Sequence, residues 1–190
     1  MLTAALRRRG SRLPGLALLL ILAAAMLACP SSPPPSPAAA AFRQEILQTL
    51  QRLRQPLAAA LARRDIPALD AILQQTSKTI PGLCLDCAYR IGVLDEAAIL
   101  LTTYPKQDVV GLNFSSFDRL LDNMRRQRIS QRQVFLPDHS RILLLAAPLV
   151  HNRRLVGAVV LGFRPQDLEQ KWRLTTKEFL ALDFNVPERE

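Results

Sequence analysis

The sequence predicts an α+β fold: a long N-terminal helix packed on a five-stranded antiparallel sheet. Three observations predict it. From Phe42 to Leu61 the apolar residues recur at steps of three and four, the helical period. After Pro81-Gly82 the pattern changes to short apolar runs bounded by turn residues, the mark of strands. The last two runs, Arg141 to Val150 and Leu155 to Phe163, are nearly continuous in apolar residues, as central strands covered on both faces must be.

Residues 1–28 read as an export signal. Arg7, Arg8, Arg9 and Arg12 form a basic start, and Leu16 to Ala28 forms an apolar stretch. That stretch is short of the ~20 apolar residues a membrane helix needs. Its end, "MLAC", resembles the lipobox of bacterial lipoproteins, in which the cysteine, here Cys29, is lipidated and becomes the new N-terminus. The usual leucine three places before the cysteine is replaced by Met26. Pro30 follows Cys29, which by analogy with lipoprotein sorting points to the outer membrane. An uncleaved anchor, or ordinary cleavage further on, are the alternatives. All three place the body outside the cytoplasm, on the periplasmic side of a bacterial envelope. Residues 29–41 contain "PSSPPPSPAAAA", whose proline and serine density predicts an extended, semi-rigid linker.

Residues 42–78 form the long helical segment. Phe42, Ile46, Leu50, Leu53, Leu57 and Leu61 make its apolar stripe, and Pro56 is expected to kink or divide it. Asp65 and Pro67 start a second piece, Ala68 to Gln75, as cap and first-turn proline. The stripe is expected to pack on the chain's own sheet; the alternative is that part of it pairs with a second copy in a homodimer.

Residues 79–164 hold the sheet. Strands are expected at Ala88–Leu94 and Ile99–Tyr104, joined by the turn "LDEAA". A helix over Phe114–Arg128 follows, capped by Ser115 or Ser116, with Phe117, Leu120, Leu121 and Met124 inward. The remaining strands are Gln131–Leu136, Arg141–Val150 and Leu155–Phe163, separated by "PDHS" and "HNRR". Pro148 implies a bulge. In the tail, 165–190, Pro165 starts a helix running through Trp172, with a second piece around Phe179.

This order resembles the single Cache domain, a PAS-like extracytoplasmic sensor module. The residues that carry the resemblance are "YRIGVLDEAAILLTTYP", "GLNFSSFDRLL" and the hairpin "APLVHNRRLVGAVVLGF". It covers roughly residues 42 to 170. Two features depart from the pattern: Glu96-Ala97-Ala98 follows Asp95 where the family has a glycine after the acid, and the amino-acid-binding signature of double Cache domains is absent.

Cys84 and Cys87 make a CxxC. Haem attachment needs a histidine next, and Ala88 stands there. A thioredoxin-like site needs a helix after the motif, and a strand follows. A zinc site with His139 and His151 fails on distance: about ten residues of strand at ~3.3 Å rise put roughly 30 Å between them. In an exported chain the default is a disulfide clamping the entry to the first strand, with a labile redox switch as the alternative.

No catalytic set appears, and no metal or cofactor is implied. Neither histidine has a nucleophile and an acid at motif spacing, and the seven glycines are dispersed rather than gathered into a phosphate loop. The formal charge is +9, and four of those charges belong to the arginines of the export signal, which leaves about +5 for the body. The dense basic stretch "RRQRISQR", Arg125 to Arg132, contains no aromatic residue, which argues against nucleic acid.

The resemblance implies a small-molecule ligand, such as an organic acid, held between the curved sheet and its covering segment, Tyr104 to Arg128. Tyr104, Phe114 and Phe117 would wall the site, Phe135 would close its floor, and Lys106, Arg125 or Arg132 would meet an anionic group. The chain runs to "NVPERE" with no membrane span or output domain after the sheet, so a bound state is expected to pass to a partner protein. The alternative is an envelope lipoprotein with this body that binds a partner and no small ligand.

Overall fold

The computed structural model describes residues 35–79, 89–106, 110–115, 119–135 and 141–185. In chain order the helices are α1 (Pro37–Ala62), α2 (Ile66–Thr79), α3 (Leu120–Arg125), α4 (Pro165–Trp172) and α5 (Thr176–Ala181). The strands are β1 (Tyr89–Asp95), β2 (Leu100–Tyr104), β3 (Ser130–Phe135), β4 (Arg141–His151) and β5 (Arg154–Phe163). They form one five-stranded sheet of order β2-β1-β5-β4-β3, with every pairing antiparallel. This is the α+β architecture that the helix period and the strand runs predict.

Helix α1 starts earlier than its apolar pattern. Pro37 opens it, inside the segment expected to be extended, because Ser36 Oγ accepts the Ala39 N–H at 3.3 Å. A proline in the first turn lacks only a donor that would be orphaned anyway, and the four alanines that follow have the best helix propensity. Pro56 neither divides nor ends the helix. It sits on the exposed side, while Leu53 and Leu57 are buried beneath it, so packing outweighs the lost hydrogen bond. Asp65 caps α2 as expected, accepting the Ala68 N–H at 3.0 Å.

The six members of the α1 stripe are all 5% exposed or less, and they pack on one face of the sheet. The stripe is therefore taken up inside the fold and is not available to a second copy. The opposite side of the helix carries Gln44, Gln48, Gln51, Arg52 and Gln55, all exposed. Phe42 is the anchor. Its ring meets Phe163 edge-on at 5.4 Å and Trp172 at 5.2 Å, and Phe179 tilts against Phe163 at 5.5 Å. Helices α1, α2, α4 and α5 thus close one face of the sheet.

The two ends of this helical layer meet. Ser36 Oγ donates to Glu178 Oε1 at 3.2 Å, and Arg43 Nε donates to the Asp183 carbonyl at 2.7 Å. Glu178 also completes a capping box with Thr175 at the start of α5. Asn185 pairs through its side-chain amide with both the N–H and the C=O of Ile129, just before β3.

Two bulges set which side chains face which layer. Between β1 and β2, Val93 pairs with Thr102 and Leu94 with Leu100, so Leu101 is an extra residue. Leu100 therefore faces one layer while Thr102 and Tyr104 face the helical one. Between β4 and β5, Leu149 pairs with Gly157 and Val150 with Leu155, leaving Val156 extra. The bulge expected at Pro148 thus falls one pair further on; Pro148 itself pairs with Ala158. The β4–β5 turn is Asn152-Arg153, both at positive φ (47° and 64°), which matches the twist of a two-residue hairpin. In the β1–β2 turn, Asp95 Oδ1 accepts N–H bonds from Ala97 (2.9 Å) and Ile99 (2.8 Å). They hold Ala98 at φ 63°, the conformation a glycine would adopt more readily.

The covering helix is shorter than the sequence predicts. It spans Leu120–Arg125, not Phe114–Arg128. Asn113 is bridged to Ile99 in an extended segment, and its side chain accepts the Ser115 N–H at 2.8 Å. Local side-chain-to-backbone bonds of this kind compete with helix, and the residue that precedes the helix as its N-cap is Arg119. Leu120 and Met124 bury the helix on the second face of the sheet, beside Phe114, Leu144, Ala146, Ala158 and Val160.

Candidate ligand-binding site

The face under α3 is floored by small residues because of strand alternation and register. One row across it runs Arg90 (β1), Gly162 (β5), Leu144 (β4) and Arg132 (β3). The next row runs Thr103 (β2), Gly92, Val160, Ala146 and Ser130. The two glycines differ. A Cβ on Gly92 would lie 2.9 Å from Leu100 Cδ1, so that position is close-packed. A Cβ on Gly162 would meet nothing nearer than Ile142 Cδ1 at 3.9 Å. Between α3 and β3 lies a hollow of about 10 Å³, lined by Leu120, Ser130, Arg132, Val134 and Leu144. That is room for one water molecule, against the ~300–1,000 Å³ of a typical ligand pocket.

The residues proposed from sequence divide between environments. Phe114, 4% exposed, and Arg132, which lines the hollow, lie on the α3 face. Tyr104 is half-buried on the opposite face, packed against the helical core, because the Leu101 bulge turns it there. Lys106 braces α2 against β2: its Nζ is 2.6 Å from Asp70 Oδ2 and 3.3 Å from Thr102 Oγ1, and Thr102 Oγ1 also donates to Asp70. Arg125 points to solvent at the end of α3, 3.9 Å from Asp122. Phe135, expected as a floor, is 62% exposed on the edge strand. Tyr104, Lys106, Arg125 and Phe135 therefore do not converge with Phe114 and Arg132. Phe117, Cys29, Cys84, Cys87 and His139 lie outside the described residues.

The structure adds residues that sequence reasoning missed. Arg90, Gly162 and Ser130 share the face with Arg132. A signal for them existed: in "YRIGVLD" the alternation sets Arg90 with Gly92 on one face and Ile91 with Val93 on the other.

The electrostatics of the described residues are structural elsewhere. Partial burial pushes the Asp70 carboxyl up, but hydrogen bonds from Lys106 and Thr102 and the Lys106 charge outweigh it and leave it below the ordinary aspartate value. Burial lowers the Arg54 guanidinium, whose Nε has no hydrogen-bond partner among the described residues. Among the described residues no three His, Cys, Asp or Glu side chains gather as metal ligands would.

No protein-family model and no curated protein matches the chain. Solved structures do. A domain of a sensory box/GGDEF family protein from Vibrio parahaemolyticus matches with a TM-score of 0.53 at 15% identity, over 74% of this chain and 60% of that one. The extracellular domain of a histidine kinase matches with a TM-score of 0.53 at 15% identity, over 74% of this chain and 57% of that one. The sensor domain of the V. cholerae histidine kinase DctB matches with a TM-score of 0.49 at 16% identity, over 83% of this chain and 60% of that one. The chain thus spans 60% or less of the length of each. At such identities the likeness speaks for the fold. With one helical layer over a five-stranded antiparallel sheet and a short helix on the other face, the chain has the Cache-type, PAS-like fold of extracytoplasmic sensor domains.

Proposed function

We propose that the protein is an extracytoplasmic sensor lipoprotein. It binds a small metabolite, a small organic acid in the preferred reading, and passes the bound state to a partner protein. The observation that carries this is the small-floored sheet face under α3, with Arg132 at its hollow, in a fold shared with sensor domains. The export signal, "MLAC" and the proline-rich segment support a body held by lipidated Cys29 on the periplasmic side of the outer membrane. In that oxidising compartment Cys84 and Cys87 form a disulfide; intact mass with and without reductant tests it.

One observation favours the second reading, a partner-binding envelope lipoprotein without a small ligand: the hollow holds about one water. A metabolite therefore requires α3 to move off β3. A thermal-shift panel of carboxylates, amino acids, amines and nucleobases separates the two. The chain has one tryptophan, Trp172, packed against Phe42, so its fluorescence reports unfolding. A ligand at a hundred times its Kd adds ~2.7 kcal/mol, which is several degrees for a domain of this size. A shift from one class supports the sensor; no shift from any class supports the partner-binding protein.

A further inference from the structure

We infer that the outer side of α3 is the surface on which a partner protein docks, through a segment rich in carboxylates. The inference rests on the partner that both readings above share, and it names that partner's chemistry. Residues 119–128 hold four arginines, Arg119, Arg125, Arg126 and Arg128, against one carboxylate, Asp122. All four arginines are exposed. Helical geometry puts them outside: Leu120 and Met124 bury one side of the turn, and Arg119, Arg125 and Arg126 fall on the remainder. Arg125 stands 3.9 Å from Asp122, too far for a hydrogen bond. Asp183, on the tail that Asn185 ties to Ile129, accepts the N–H of Asn185. Among the described residues, no hydrogen bond or ion pair engages the side chain of Arg119, Arg126 or Arg128.

Arg119 stands there against local preference. It is the N-cap of α3, left-handed at φ 61°, with no side-chain cap bond. The left-handed region is strained for a residue with a Cβ, and a cation at a helix N-terminus meets the positive end of the dipole. Glycine or aspartate would serve the fold better, so this arginine points to a use beyond the fold. The charge selects an anionic partner, and the surroundings select a protein. Residues 119–128 hold no aromatic side chain on which a base could stack. A bilayer is met by helices that insert an apolar edge, whereas Leu120 and Met124 are buried under α3 on the sheet. Carboxylates on a protein segment match guanidinium groups in two parallel bonds. Arg119 and Arg126 stand about 10 Å apart along the helix, a span that acidic residues on one side of a partner helix or strand can match. The place also suits transmission. Leu120, the first residue of α3, lines the hollow against β3, so a ligand that shifts α3 shifts the arginines with it.

Fluorescence anisotropy of a labelled glutamate–alanine repeat peptide, titrated with the full chain, tests this. The same repeat with glutamine for glutamate, and competing vesicles of phosphatidylglycerol, are the comparisons. Arg7, Arg8, Arg9 and Arg12 are common to every sample, so the readout is the ratio of affinities between variants. The acidic peptide should bind, more weakly as salt is added, and the glutamine peptide should not. Arg119→Gln, Arg126→Gln and Arg128→Gln should each weaken binding about twofold to fivefold, as loss of an exposed ion pair does, and all three together about tenfold or more. Arg63→Gln, Arg153→Gln and Arg154→Gln together remove the same charge from exposed positions at the end of α1 and the β4–β5 turn, and should leave binding unchanged. Arg119→Gly suits φ 61°, so it should raise the thermal midpoint and still weaken binding; it serves if a glutamine variant fails to fold. An acidic peptide that does not bind overturns the inference. So does equal weakening by the two triple variants, or none by the first. Vesicles that displace the peptide and lose their hold in the first triple variant overturn it too, and assign the surface to a membrane. A small-ligand response in the thermal-shift panel leaves the sensor reading intact in each of these cases. Peptide binding that depends on α3, with silence from that panel, supports the inference and overturns the sensor reading.

Discussion

Gly157 and Gly162 lie five residues apart on the same central strand, and the structure assigns them opposite sensitivities. At Gly157 a Cβ would sit 2.1 Å from the Leu94 carbonyl oxygen, 2.6 Å from Leu61 Cδ2 and 3.2 Å from Asp95 Cα, and φ is +157°. The first contact is about 0.9 Å inside the 3.0 Å that Cβ atoms essentially never breach, and the atom is backbone of the neighbouring strand, held by its ladder. Leu61 could rotate away; Leu94 O cannot move without opening the β1–β5 pairing. Overpacking of this kind costs ~1–3 kcal/mol, and a side chain in a backbone region reserved for glycine costs about as much again. Gly157→Ala should therefore lose about 3–5 kcal/mol. At Gly162 the nearest atom is 3.9 Å away, an ordinary contact, so Gly162→Ala should be neutral or gain about 0.5–1 kcal/mol by reducing unfolded-chain freedom. Urea unfolding followed by Trp172 fluorescence reads both. With a slope of ~2 kcal/mol per molar, Gly157→Ala should lower the midpoint by about 2 M at unchanged slope. A loss below about 1 kcal/mol at Gly157, or an equal loss at Gly162, would refute the reasoning from the bulge.

Three further outcomes are expected. Phe42→Ala should cost about 3–5 kcal/mol in the same assay, since its ring is fully buried between Phe163 and Trp172, and it should shift the Trp172 emission. Arg54→Met should keep or raise the midpoint, by up to about 1 kcal/mol, because it removes a desolvated guanidinium whose Nε is buried without a partner among the described residues. The Asp70 carboxyl is held below its ordinary value in the folded state, so its contribution is present above the ordinary aspartate range and is lost as pH falls through the lowered folded value. Asp70 is 33% and Lys106 65% exposed, so the share is only ~0.2–1 kcal/mol; Asp70→Asn should lower the midpoint at pH 7 by that amount and flatten the acid limb of the stability profile.

The fold was legible where one physical rule dominated. The α1 stripe, the paired runs of β4 and β5 and the Pro165 helix start all follow from period and capping, and each stands where the sequence puts it. The errors lie where tertiary structure overrides local signals. Pro56 is tolerated because packing below it is strong, and Phe114 stays extended because the Asn113 side chain accepts the Ser115 N–H. The candidate site was legible only in part. Arg132 and Phe114 could be placed by their strand and segment, but Tyr104 changes face because of one extra residue at Leu101, which no alternation pattern announces. Arg90 was overlooked because its place depends on register: it shares a cross-sheet row with Arg132 only when β1 and β3 are set on either side of the β4–β5 hairpin.

The bonds of Ser36 to Glu178 and of Arg43 to Asp183 have a mechanical meaning. They fasten the point where the chain enters the fold to the point where it leaves. A pull applied between those two points bears first on this short junction and on the Asn185 bonds to Ile129 beside β3. The module can thus be strung on a tether, or spliced into a longer chain, with its two ends held side by side by this junction. Conversely, a rearrangement that breaks the junction changes how the two ends are aimed while leaving the strands in register.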